Sequence, residues 1–187
     1  MAKEPKNAVI LLSGGIDSTA CVHYYLEQKF NVKALFIDFG QKAHKAELAS
    51  AEKIAKHFKV PLLKLQFQFP LEYPSGEILG RNAFLVLSSI MLLQKYHGLI
   101  ALGIHSGTPY YDCSESFVIS INELLRGYSG GRILLDAPFQ KWTKKMIMDY
   151  CLKNKIPINL TYSCENGTIP QCGKCLSCKD RRVLNAQ

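Results

Sequence analysis

No run of about 18 apolar residues occurs anywhere in the 187-residue chain, so no segment reads as a membrane-spanning helix. The opening MAKEPKNAVILLSGG lacks the long apolar stretch and the cleavage site of a secretory leader, and a cytoplasmic protein is expected. Internal repeats and low-complexity segments are missing. So is any block of five or six basic residues, although Lys and Arg (23) outnumber Asp and Glu (15) and the formal net charge is +8. That excess suits an anionic ligand such as a nucleotide or a phosphate; a basic soluble protein without a charged partner has the same composition. Two familiar phosphate signatures are absent as well. No lysine follows the glycines of Ser13-Gly14-Gly15, which excludes a Walker loop, and there is no G-x-G-x-x-G.

What is present is a chain with 48% hydrophobic residues, enough for one domain with a real core. Its pattern alternates. Strands are expected at Val9–Leu12, Val32–Asp38, Leu62–Phe67, Leu99–Gly103 and Arg132–Ala137. Helices are expected at Asp17–Gln28, Ala43–Phe58, Arg81–Tyr96, Ser116–Tyr128 and Thr143–Lys153. Strands alternating with helices predict an α/β fold, a doubly wound parallel sheet with ligands at the carboxyl ends of its strands. Phe69–Gly80 holds several breakers and reads as a loop able to act as a lid. From Ile158 onward the chain reads as irregular.

The first strand runs directly into Ser13-Gly14-Gly15-Ile16-Asp17-Ser18-Thr19. Glycines let the backbone approach an anion, Ser18 and Thr19 add hydroxyl donors, and a helix beginning there offers its free first-turn amides. Asp17 suits magnesium, loop geometry or simply the helix dipole. At the other end, four of the seven cysteines crowd into the last 24 residues as Cys164, Cys172, Cys175 and Cys178. Two overlapping C-x-x-C steps plus one more thiolate fit a closed tetrahedral zinc site; an iron–sulfur cluster is the other reading. Cys21 and Cys151 read as buried helix residues.

Ser-Gly-Gly-x-Asp-Ser resembles the pyrophosphate loop of the ATP pyrophosphatase superfamily. Further stretches extend the likeness nearly end to end: DFGQKAHKAE at 38–47, GRN at 80–82, YYDC at 110–113, APFQKWTKK at 137–145 and the tail CENGTIPQCGKCLSCKDR. Together they resemble the 7-cyano-7-deazaguanine synthase family of queuosine precursor biosynthesis. The resemblance implies an adenine nucleotide alpha hydrolase-like fold, with residues 1–160 as the ATP pyrophosphatase domain and 161–187 as a zinc-binding tail packed on it.

It also implies a reaction. ATP adenylates the carboxylate of 7-carboxy-7-deazaguanine, ammonia gives an amide, and a second ATP-dependent activation gives the nitrile. By this likeness Ser13, Gly14, Gly15, Asp17, Ser18 and Thr19 hold the pyrophosphate, and Leu12 belongs to the ATP site beside them. Asp38 and Phe39 border the adenosine. Lys42, Arg81 and Lys144 supply positive charge, and Arg81, Asn82, Tyr111 and Asp112 contact the substrate. ATP, magnesium and zinc are the implied cofactors. A homodimer stays open, and no stable nucleic-acid partner is expected. The chain departs from the family pattern at a short 69–80 segment, in IHSGTPYYDC, which lacks an expected aspartate, and at Ser114, where the family has arginine. These departures leave three other readings: a relative that joins the activated deazaguanine to a protein amine in an anti-phage system, a tRNA-modifying relative, and a nucleotide-binding scaffold subunit.

Overall fold

The computed structural model describes residues 6–67 and 76–185, so the expected 69–80 loop lies largely outside the described residues. Five parallel strands form one sheet: β1 (Asn7–Leu11), β2 (Asn31–Asp38), β3 (Leu62–Gln66), β4 (Gly98–Ala101) and β5 (Ile133–Asp136), in the order β3-β2-β1-β4-β5. The helices are α1 (Ile16–Glu27), α2 (His44–Phe58), α3 (Arg81–Ile90), α4 (Glu115–Ser129), α5 (Lys144–Lys153) and α6 (Leu176–Asn185), with short 3-10 turns at Tyr111–Cys113 and Ile158–Leu160. None of the described helices is long and apolar enough to cross a membrane.

Side chains alternate across each strand, and this sorts the core into two layers. Ala8 and Ile10 of β1, with Ala34 and Phe36 of β2, pack against Ala20, Val22 and Tyr25 of α1, Ile54 of α2 and Ile147 of α5. Val9, Leu11, Leu35 and Ile37 point the other way, toward Val86 of α3 and Phe117, Ile121 and Leu125 of α4. Two near-continuous apolar strands buried on both faces are what a doubly covered parallel sheet requires. Tyr25 at the end of α1 donates to Asp136 Oδ2 at 2.5 Å, tying the first helix to the last strand. Asn122 accepts from Leu135 N and donates to Leu135 O, at 2.8 and 3.0 Å, fastening α4 along edge strand β5.

The chain winds outward from β1 to β3 and then reverses to β4 and β5. Loops leaving β1 and β4 therefore diverge and open a crevice between them.

Two expected elements differ. The predicted helix Arg81–Tyr96 stops at Ile90, and residues 91–96 continue through i→i−3 turns. Ser88 and Ser89 bond back to the Leu85 and Val86 carbonyls, competing with the helical ladder there. The tail beyond Ile158 is not irregular throughout, because α6 forms after the cysteines and Leu184 packs against the core.

Candidate active site and metal centre

The loop after β1 is shaped by its own hydroxyls. Ser13 Oγ lies 3.2 Å from Ser18 Oγ and 3.4 Å from the Gly15 N–H that donates to it; Ser18 Oγ donates to Gly15 O at 3.1 Å. No side chain caps α1 at Gly15, which leaves first-turn amides for an anion. Gly14 has φ +84°, and a Cβ there would meet Glu47 O at 2.7 Å and Ser50 Cβ at 2.9 Å. Its carbonyl accepts from Tyr162 N, and Ser50 Oγ lies 2.9 Å from it. Gly14→Ala is thus expected to strain the backbone and push α2 and the tail off the loop, costing at least about 1–2 kcal/mol. Urea denaturation with an unchanged midpoint would contradict this.

A cavity of about 440 Å³ opens above the loop. From the loop come Leu12, Ser13, Gly15, Asp17 and Ser18; from the segment after β2, Phe39, Gln41 and Lys42; from α2, Glu47; from α3, Arg81 and Asn82; from the exit of β4, Gly103 and Ile104; from α5, Lys144. Its size is in the range of small-molecule sites. The tail closes one side with Tyr162, Ser163, Glu165, Ser177 and Arg181.

Asp17 lies at the centre of the charges. Its Oδ2 is 4.0 Å from His105 Nε2, and its Oδ1 is buried with no hydrogen-bond partner among the described residues. Burial pushes its carboxyl above the usual range, opposed by the positive charge of Lys144 and then by His105. Burial lowers the buried imidazole of His105, and Asp17 opposes that. The Gly107 N–H donates to His105 Nδ1 at 3.0 Å, which puts the proton of the neutral ring on Nε2, toward Asp17.

Several expected site residues lie elsewhere. Thr19 is fully buried and its hydroxyl donates to Gly15 O at 2.7 Å, so it faces the core rather than the cavity. Asp38 is off the cavity wall; its Oδ1 accepts from Gly40 N at 2.9 Å and stabilises the turn after β2. Gly14 serves close packing instead of lining the wall. Tyr111 is 62% exposed and turns its ring toward Phe117, off the wall. Asp112 is buried beneath α3, where Oδ2 accepts from Asn82 N at 3.2 Å and its carbonyl accepts from Asn82 Nδ2 at 3.0 Å. It anchors the start of α3, and through Asn82 Oδ1, which accepts from Arg81 Nε at 3.3 Å, it orients Arg81.

Other residues join the site without having been singled out from the sequence. Gln41 receives Phe39 N and donates to Ile37 O and to Glu47 Oε2, so it braces the turn beside the cavity. Burial raises the Glu47 carboxyl, opposed by the Gln41 hydrogen bond and then by Arg81. Glu165 Oε1 accepts from Ser177 N and Oγ, and Arg181 donates to Thr161 Oγ1 at 2.7 Å and Ile158 O at 3.0 Å. The only sequence signal for Gln41 and Glu47 is their place in the DFGQKAHKAE stretch.

Cys164, Cys172, Cys175 and Cys178 bring their sulfurs within 4.8 Å of one another. Such a set can hold one tetrahedral metal ion. Backbone N–H groups of Lys174 and Cys175 donate to Cys172 Sγ, and Cys172 N donates to Cys164 Sγ, all at 3.4 Å. These donors hold the Cys172 thiol below its ordinary value and outweigh burial at Cys164, whose thiol is also lowered; burial and neighbouring thiols push Cys178 up. A cation would release that mutual conflict, so the donor set fits a metal.

The chain matches the family model described as "Queuosine biosynthesis protein QueC" over residues 7–75 and 71–184. A 7-cyano-7-deazaguanine synthase from Prochlorococcus marinus (strain MIT 9515) is 31% identical over 215 aligned positions, covering 98% of this chain and 95% of that protein. Among solved structures, the NMN synthetase of Francisella tularensis superposes with a TM-score of 0.56 at 14% identity, over 98% of this chain and 79% of that one. The NH3-dependent NAD synthetase of Campylobacter jejuni gives 0.51 at 20%, over 100% and 80%. These two show a shared fold. With the loop, the cysteine cluster and a nearly full-length match in place, the chain belongs to the family described as queuosine biosynthesis protein QueC.

Proposed function

We propose that this chain uses ATP to adenylate the carboxylate of 7-carboxy-7-deazaguanine, releasing pyrophosphate, and lets ammonia displace AMP to give the amide. A second ATP activates the amide oxygen, and its loss as AMP leaves 7-cyano-7-deazaguanine. The observation that carries this reading is the convergence of the uncapped N-terminus of α1 with Lys42, Arg81 and Lys144 on one cavity in a member of this family. A carboxylate is a poor electrophile because hydroxide leaves badly, and adenylation supplies AMP as the leaving group. First-turn amides of α1 and the Ser13 and Ser18 hydroxyls bind pyrophosphate as it departs. Lys144 and Lys42 offset its charge, and Arg81, oriented by Asn82 and Asp112, faces the carboxylate. Ile37 and Phe39 give the adenine an apolar wall. Magnesium, held by Asp17, supplies further charge neutralisation when bound. The four cysteines take zinc, and residues 161–187 act as a tail packed on the ATP-binding part.

A protein amine in place of ammonia is the second reading. It is favoured by the divergent 104–114 stretch, in which neither Tyr111 nor Asp112 reaches the cavity wall. Incubation with ATP, magnesium and 7-carboxy-7-deazaguanine, with and without ammonium, tests both. AMP formation that depends on the carboxylate is expected, with nitrile appearing by mass spectrometry once ammonium is added. AMP without nitrile supports the protein acceptor. No carboxylate-dependent AMP from a metal-loaded, folded protein overturns the deazaguanine assignment.

A further inference from the structure

The tail carries a charge into the cavity. Asp180 of α6 places Oδ2 3.1 Å from Nζ of Lys144, the first residue of α5. Lys144 in turn lines the cavity and is the foremost positive charge acting on Asp17. A lysine at a helix N-terminus sits against the positive end of the helix dipole, and α5 has no acidic residue in its first turn to offset it. Its four-carbon stem has many alternative directions. Asp180 supplies the missing counter-charge, and the element bearing it is fixed on two sides. Glu165 caps Ser177 at the start of α6, and Arg181 bonds Thr161 and Ile158. The pair is half-exposed on the aspartate side, and exposed pairs contribute little to folding. Its geometric consequence is the direction of Lys144.

We propose that Asp180 is a positioning residue for the reaction: it holds Lys144 against the cavity beside Asp17, where charge develops on the departing pyrophosphate. The tail thereby completes the ATP site as well as covering it. This deepens the adenylation reading and rests on it.

The test compares Asp180→Asn, Asp180→Glu, Lys144→Ala and the Asp180→Asn/Lys144→Ala pair in the metal-loaded protein. Asp180→Asn is expected to lower kcat about tenfold while KM for ATP stays within about twofold, as loss of an interaction made in the transition state should. Asp180→Glu, which keeps the carboxylate, should restore most of kcat. In the Lys144→Ala background Asp180→Asn should cost nothing further. Metal content and Tm should be unchanged throughout. A readout independent of substrate is acetylation of lysines by an N-hydroxysuccinimide ester, followed by peptide mass spectrometry. Lys144 should react several-fold faster in Asp180→Asn, with Lys141 as internal reference.

Unchanged Lys144 labelling, a wild-type kcat in Asp180→Asn, or a full additional loss in the Lys144→Ala background overturns the proposal. If the wild-type chain makes no AMP with 7-carboxy-7-deazaguanine, the adenylation reading fails, and the labelling result alone decides whether Asp180 holds Lys144.

Discussion

Asp17→Ala is expected to cut carboxylate-dependent pyrophosphate release by at least about a hundredfold, about 2.7 kcal/mol of transition-state stabilisation, without lowering Tm. Both halves follow from one observation. The Asp17 carboxylate is placed where charge has to be managed, next to His105 and under the influence of Lys144. Yet it is poorly supported, with a buried Oδ1 that has no hydrogen-bond partner among the described residues. A group held in that way costs the fold something, and removing it returns that cost. The sign of the pH dependence agrees. Burial raises the folded-state value above the ordinary 3.8, so the ionised form is the one the fold disfavours. Stability should fall as pH rises from about the ordinary value through the raised one, and Asp17→Ala should lose that part of the profile. Ser18→Ala should also cut turnover by about a hundredfold, because its hydroxyl joins Ser13 to Gly15 O and shapes the loop. Pyrophosphate release at the wild-type rate in both variants would remove the loop from the mechanism.

Removal of the metal is the second large effect. Elemental analysis should find one zinc per chain, and chelation or Cys175→Ser should lower Tm by at least about 5 °C. The reason is cooperative. Without a cation, nothing joins the four sulfurs that lie within 4.8 Å of one another, and the tail loses the point from which α6 starts. The same loss should reach the cavity, since Tyr162, Glu165 and Arg181 line it from that tail. Activity should therefore fall along with metal content, and zinc added back should restore both. Iron in the analysis would favour the cluster reading. A metal-free chain with an unchanged Tm would show that the cysteines are not a structural site.

The sequence by itself determined what local chemistry can specify. The apolar run into Ser13-Gly14-Gly15 announces a buried strand that must stop at a phosphate-competent turn, since both signals act within a few residues. Short apolar runs and period-3.6 patterns separated five strands from the helices between them, because run length and periodicity report which sides of an element face the core. Four cysteines at x7, x2 and x2 specified a ligand set, since short loops can close only around a common point. Tertiary structure alone decided which polar side chains reach the cavity. Thr19 and Ser18 are neighbours, yet the rotation of about 100° from one helical residue to the next sends Thr19 into the core and leaves Ser18 on the wall. Asp112 carries the same carboxylate as Asp17, yet it is spent beneath α3 because the 3-10 turn at Tyr111–Cys113 packs there. The roles of Glu165, Asp180 and Arg181 arise only when the tail folds back, as the bond from Tyr162 N to Gly14 O and the Ser50 hydroxyl lying between Gly14 and Leu160 show. The bonds that the tail makes, Tyr162 with Gly14 and Leu160 with Ser50, join residues more than a hundred positions apart, and periodicity and spacing, which act over one or two turns, carry no information about them.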